Sequence, residues 1–296
     1  MGITIPGFET KLIDVATGVR LSARIGGEGP AVVLLHGFPQ TSLMWRRVAP
    51  TLAQRHTVIC LDLRGYGASD KPTAADESIY SKRAMAADVV GLANTLGIDT
   101  FALIGHDRGA HVAFRTGLDH PDRVSQLGIL DILPTLDMWN VLQGAGAGAG
   151  AAAAFHLYLM AQPEGLPERL ITNSADVFFG HFLDSWCKNP AAIPADVRAE
   201  YLRASRAAVP SIVADYRATA TIDIEHDQAD LDAGNQLTMP VTVVQQDWGR
   251  QLGFDAVAIW RQWATDLRHV TTHAGHFMAE EAPEDIAALI LELVKR

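Results

Sequence analysis

Apolar residues fall along this chain in two periods, and the two alternate. Nearly unbroken runs occur at Ala31-Val-Val-Leu-Leu35, Thr57-Val-Ile-Cys-Leu61, Phe101-Ala-Leu-Ile104, Leu127-Gly-Ile-Leu130 and Val241-Thr-Val-Val244. Each reads as a strand covered on both faces. Between them the apolar spacing becomes helical. Met85, Val89, Leu92 and Leu96 share one face of a predicted helix over Tyr80 to Leu96, with Gly97 as its stop, and a second helix runs from Ala110 to Asp119, ended near Pro121. Such alternation builds a parallel sheet with helices on both faces. Near the C-terminus, Ala274-Gly-His-Phe277 follows a short apolar strand and precedes a helix from about Ala282.

The alternation lapses between Pro134 and Ile222, where helical patterns are broken at Pro163, Pro167, Pro190, Pro194 and Pro210. This predicts a core domain of residues 1–133 and 223–296 and an inserted helical cap of residues 134–222, lying over the C-terminal edge of the sheet. The Gly/Ala alternation of Gly144 to Gly150 reads as a flexible entry loop to the cap.

Length and composition fit that plan. The 296 residues suit one large α/β domain with an insertion, and 48% hydrophobic residues supply its core. Lys and Arg total 24 against 34 Asp and Glu, a net charge of -10, which argues against a nucleic-acid or anionic-membrane partner. Cys60 and Cys187 make neither a disulfide framework nor a thiolate metal site. The opening Met-Gly-Ile-Thr-Ile-Pro lacks the features of a signal peptide, so a soluble cytoplasmic protein is expected. Its expected partners are a small-molecule substrate and, as an assembly, a homodimer. No cofactor is expected, and no metal, because His273 and His276 have no further ligands clustered nearby.

The chemistry concentrates in Gly105-His-Asp-Arg-Gly109, which joins a predicted strand to a predicted helix. A sharp strand-to-helix turn exposes Asp107 as a nucleophile, and the flanking glycines leave room for it. The alternative for Asp107 is a helix N-cap. His36-Gly-Phe-Pro39 ends an earlier strand, where the Phe38 N–H, with that of Arg108, can form an oxyanion hole. Asp62 to Asp70 is a Gly-rich turn, read as structural, and His276 lies on a loop at the same sheet edge.

At these residues the chain resembles the α/β-hydrolase superfamily and, within it, the branch with an Asp nucleophile, the epoxide hydrolases and haloacetate or haloalkane dehalogenases. The resemblance runs from His36 to the last helix. It implies an α/β-hydrolase fold, a mostly parallel eight-stranded sheet with a helical cap after the sixth strand. It also implies that Asp107 forms an alkyl ester, which water activated by His276 hydrolyses. Two acids compete to orient His276: Asp131, in the context D-I-L-P, is favoured over its rival Asp247. His156 and Tyr216 of the cap are expected to donate hydrogen bonds to the leaving group.

Fluoroacetate-type members pair that histidine with a tryptophan and hold the carboxylate with two arginines. Here Leu157 follows His156, and His111 stands one helical turn from Arg108. Arg108, His111, Leu157 and His36 are expected to line the substrate site. A neutral histidine is a weaker carboxylate partner than a bidentate arginine. The expected activity is therefore epoxide hydrolysis to a vicinal diol. Haloacetate dehalogenation and non-catalytic ligand binding are the alternatives.

Overall fold

The computed structural model describes residues 3–73, 76–144, 152, 154–247 and 253–296. The Gly/Ala entry loop, from 145 onward, lies outside the described residues.

Eight strands form one sheet: β1 (Phe8–Asp14), β2 (Arg20–Gly26), β3 (Ala31–Leu35), β4 (Thr57–Leu61), β5 (Phe101–His106), β6 (Val124–Leu130), β7 (Val241–Gln246) and β8 (Leu267–Thr272). Their spatial order is β1-β2-β4-β3-β5-β6-β7-β8. β1 and β2 are antiparallel to their neighbours and the rest pair in parallel. The five runs read as strands occupy the five central parallel positions, and every residue of β5 is buried.

The edges explain what hydrophobic pattern alone does not show. β1 (FETKLID) exposes most of its residues, and β8 (LRHVTT) is polar and half-exposed, not the short apolar strand expected before Ala274. An edge strand has a neighbour on one side only, so it needs no continuous apolar run.

Helices α1 (Lys82–Thr95) and α2 (Arg108–Asp119) flank β5 in the chain. Between β6 and β7 the described residues form seven α-helices and no strand of the sheet: α3 (Thr135–Gly144), α4 (Phe155–Met160), α5 (Leu166–Asn173), α6 (Ala175–Ser185), α7 (Ala195–Arg206), α8 (Val209–Thr219) and α9 (Ile222–Ala233). After β7 come α10 (Ala256–Trp263), α11 (Met278–Glu281) and α12 (Pro283–Leu293). Among the described residues, no helix is long and apolar enough to cross a membrane.

The core is dense with aromatic residues. Phe114 of α2 meets Trp260 and Trp263 edge-on at 5.9 and 5.1 Å, and each such buried ring contributes about 2–3 kcal/mol by area alone. Buried ion pairs tie down the helices that lie between β6 and β7. Arg115 of α2 binds Asp227 at 2.6 Å, and also Asp230, both on α9. Fully buried Glu280 of α11 binds Arg46 and accepts from the Tyr201 hydroxyl of α7. Breaking one partner of such a pair strands a buried charge, at a cost of about 3–5 kcal/mol.

Candidate active site

Asp107 sits between β5 and α2 with φ 48° and ψ −118°, a conformation strained for a side chain larger than glycine. The surrounding glycines are steric necessities. A Cβ on Gly105 would lie 2.2 Å from the Gly109 carbonyl oxygen, and one on Gly109 would lie 2.4 Å from that of His36. The Asp107 side chain makes no capping bond to α2. Instead its Oδ1 accepts the Phe38 N–H at 2.6 Å, from the turn that carries a cis Phe38–Pro39 bond. The N-cap alternative therefore lacks its defining contact. Burial pushes the Asp107 carboxyl up, but His276, His106, Arg108 and the Phe38 N–H outweigh it and hold the carboxylate ionised.

His276 lies on the loop between β8 and α11. Its Nδ1 donates to Asp131 Oδ2 at 2.7 Å, which leaves the Nε2 lone pair 3.7 Å from Asp107 Oδ2. Burial lowers the imidazole pKa, yet Asp131 and Asp107 together raise it above its ordinary value. Asp131 follows β6 with φ 59°, and both its oxygens are fixed by Gln246, through its N–H at 2.9 Å and its Nε2 at 2.8 Å. Asp247, the rival acid, stands exposed in the turn after β7. The His276 backbone is held at both ends as well: its N–H donates to the Trp186 carbonyl at 3.0 Å, and its carbonyl accepts from His106 Nε2 at 2.7 Å.

The cap closes the other side with rings. His156 stacks on Phe38 at 6.1 Å and meets Trp186, Phe182 and Tyr216 at 5.1, 4.9 and 5.7 Å. Tyr216 also meets Phe38 at 5.3 Å, which brings both expected cap donors against the oxyanion turn. Leu157 is half-buried against the core cluster.

Three expected substrate contacts are engaged within the protein. Arg108 and His111 share α2, and their side chains hold different partners. The Arg108 fork binds Asp215, through Nε to Oδ2 at 2.8 Å and Nη2 to Oδ1 at 2.9 Å, and also reaches Thr219. His111 Nε2 instead bonds the Leu133 carbonyl at 3.1 Å, and burial beside Arg108 and Lys82 drives its pKa down to about 3, so it is neutral. His36 accepts the Leu63 N–H at Nε2, 3.1 Å, and its Nδ1 binds the Gly37 carbonyl at 3.0 Å, so both nitrogens brace the oxyanion turn.

Sequence reasoning missed Asp215, although its neighbour Tyr216 was an expected donor. An acid inside the otherwise apolar run Val209-Pro-Ser-Ile-Val-Ala214 was the available signal. It also missed Trp186, His106, Lys82 and Gln246, whose roles come from tertiary contacts with no local pattern.

Comparison with known proteins identifies the family. The sequence profile of the alpha/beta hydrolase fold matches residues 30–283. A fluoroacetate dehalogenase from Burkholderia sp. is 40% identical over 293 residues, covering 97% of this chain and 94% of that protein. A soluble epoxide hydrolase from Corynebacterium sp. (strain C12) is 32% identical over 274 residues, covering 90% and 91%. A solved Pseudomonas aeruginosa structure, provisionally described as an epoxide hydrolase, superimposes with a TM-score of 0.91 at 37% identity, over 100% of this chain and 98% of that one. The chain belongs to the α/β-hydrolase superfamily, in its branch of epoxide hydrolases and dehalogenases.

Proposed function

We propose that this protein hydrolyses epoxides to vicinal diols through an ester on Asp107, with residues 134–222 acting as its cap. The observation that carries the reading is the engagement of Arg108 by Asp215. With the Nε and Nη2 edge of Arg108 held by Asp215, and with a neutral His111, the described residues of the site hold a substrate carboxylate less well than two free arginines would. Neutral substrates suit it better.

In the proposed cycle, Asp107 Oδ1 remains in the Phe38 N–H bond while Oδ2 attacks one ring carbon. The ring C–O bond breaks, and its electron pair passes to the oxygen, which takes a proton from Tyr216 with His156 as second donor. Nε2 of His276 then takes a proton from water as that water attacks the ester carbonyl. The Phe38 and Arg108 N–H groups hold the oxyanion. Collapse releases the diol, protonated by His276, and the proton left on the regenerated acid returns to Tyr216. Asp131 keeps the His276 Nδ1 protonated and stabilises the imidazolium.

A second reading, halocarboxylate dehalogenation, is favoured by the whole-length similarity to a fluoroacetate dehalogenase. Trapping separates the two. His276→Gln protein incubated with styrene oxide should gain the whole mass of the epoxide on Asp107. A gain only with chloroacetate, of that acid's mass less HCl, selects the second reading. Addition at another residue sinks both.

A further inference from the structure

Arg108 is buried at the centre of the site, yet the cycle above gives its side chain no contact with the substrate. Its guanidinium is fixed from several directions. Asp215 takes Nε and Nη2, the Asp215 backbone carbonyl accepts Nη2 at 3.1 Å, and Thr219 binds the same nitrogen. Asp215 is fixed in turn by the Tyr66 hydroxyl at 2.6 Å and by Lys82 Nζ. Lys82 also lies 3.5 Å from Asp223, so two buried cations share two buried carboxylates. So bound through Nε and Nη2, the guanidinium lies with Cζ 4.2 Å from the centroid of the Tyr216 ring.

On this epoxide reading, we propose that Arg108 is a positioning residue that acts through Tyr216: it stabilises the negative charge the phenol acquires as it gives its proton to the opening epoxide oxygen. A cation over an aromatic face already attracts the neutral ring. It attracts a phenolate more, because the charge spreads into the ring. The Arg108–Asp215 pair presents its positive end to that face, so the carboxylate does not cancel the effect where it is needed.

The groups around Tyr216 give this a timing. Burial raises the phenol well above its ordinary pKa; Asp107, and more weakly Asp215, add to the rise, while Arg108 opposes it. Ester formation removes the charge of Asp107, because its electron pair enters the new C–O bond as the ring C–O bond yields its pair to oxygen. The opposition from Asp107 fades during the step that needs the proton, whereas the Arg108 charge stays. The phenol thus becomes more acidic as the ring opens and returns to a weak acid once the carboxylate is restored.

The test measures the rate of Asp107 ester formation with styrene oxide, by rapid quench and intact mass in the His276→Gln protein. Arg108→Leu should slow ester formation about tenfold, and Arg108→Lys should recover part of that loss. In the Tyr216→Phe background the same Arg108→Leu change should have little further effect. 3,5-Difluorotyrosine at position 216, a more acidic phenol, should restore most of the rate. Single-turnover ester hydrolysis, followed with His276 intact, should be unchanged. If Arg108→Leu fails to fold, Arg108→Leu/Asp215→Asn removes both charges and should slow ring opening with the same dependence on Tyr216. Equal slowing in the Tyr216 and Tyr216→Phe backgrounds overturns the proposal, as does equal loss in hydrolysis. A KM rise confined to chloroacetate, with ring opening unchanged, also overturns it by making Arg108 a carboxylate clamp. Absence of any Asp107 adduct in the parent protein overturns the epoxide reading and this inference with it.

Discussion

The two halves of the site are built by different physics. On the core side, Asp107, His276 and Asp131 are fixed by hydrogen bonds and by backbone shape: the Phe38 N–H on Asp107, the Trp186 and His106 contacts on the His276 backbone, and the two Gln246 donors on Asp131. On the cap side, His156 and Tyr216 are positioned by ring packing among Phe38, Phe182 and Trp186. Hydrogen-bonded geometry tolerates little change, whereas apolar packing accepts other side chains of similar volume. On the proposed reading, the core half accordingly sets the reaction class, and the cap half sets what is transformed.

The sharpest way to break this contrast is to remove the proposed nucleophile. Asp107→Ala should lower turnover at least about 10⁴-fold while leaving the folded protein intact by circular dichroism. Residual activity near wild type would move the chemistry elsewhere.

Asp131→Asn should follow, with a loss of about 10³-fold in ester hydrolysis. It also carries a pH signature. His276 must be neutral to take a proton, and its pKa stands above the ordinary value, so hydrolysis should fall as pH drops through that raised pKa. Without Asp131 the acid limb of the single-turnover profile should move to lower pH. The linkage to stability has the opposite sign. A raised histidine pKa stabilises the fold fully below its unfolded value of about 6.5 and progressively less as pH rises through the folded value. The pH ranges that favour this ion pair and this base therefore diverge.

On the cap side the effects should be smaller and confined to one step. Tyr216→Phe should slow ester formation about 10²-fold and spare hydrolysis; equal loss in both steps, read by rapid quench, would contradict the division of labour. The mildest change is Leu157→Trp combined with His111→Arg. It should improve kcat/KM for chloroacetate relative to styrene oxide by about tenfold, with Asp107 still the residue that carries the adduct. A change in the adduct site would mean that the cap governs the reaction as well.

The same division explains how much was legible in the sequence. The elbow was readable because its chemistry requires a local string: Gly105 and Gly109 must be small, and Asp107 must stand between a strand and a helix. The central strands were readable because burial on both faces imposes unbroken apolar runs. The edges β1 and β8 were not, being polar where solvent meets them. The hydrogen bonds of His36 and His111 were not legible because their partners are backbone atoms, of Leu63, Gly37 and Leu133, which leave no trace in residue identity. Asp215 was missed for another reason. It lies 107 positions from Arg108, and only the tertiary fold brings the two side chains together.

Among the described residues, the two that adopt positive φ without being glycine are Asp107 and Asp131. Each conformation costs on the order of 1–3 kcal/mol, which glycine in the same place would relieve. Mutational drift filtered only for a well-folded product would thus erode the nucleophile and its supporting acid together. Each carboxylate thus stands where glycine would suit the backbone better, a placement that the proposed turnover accounts for and stability does not.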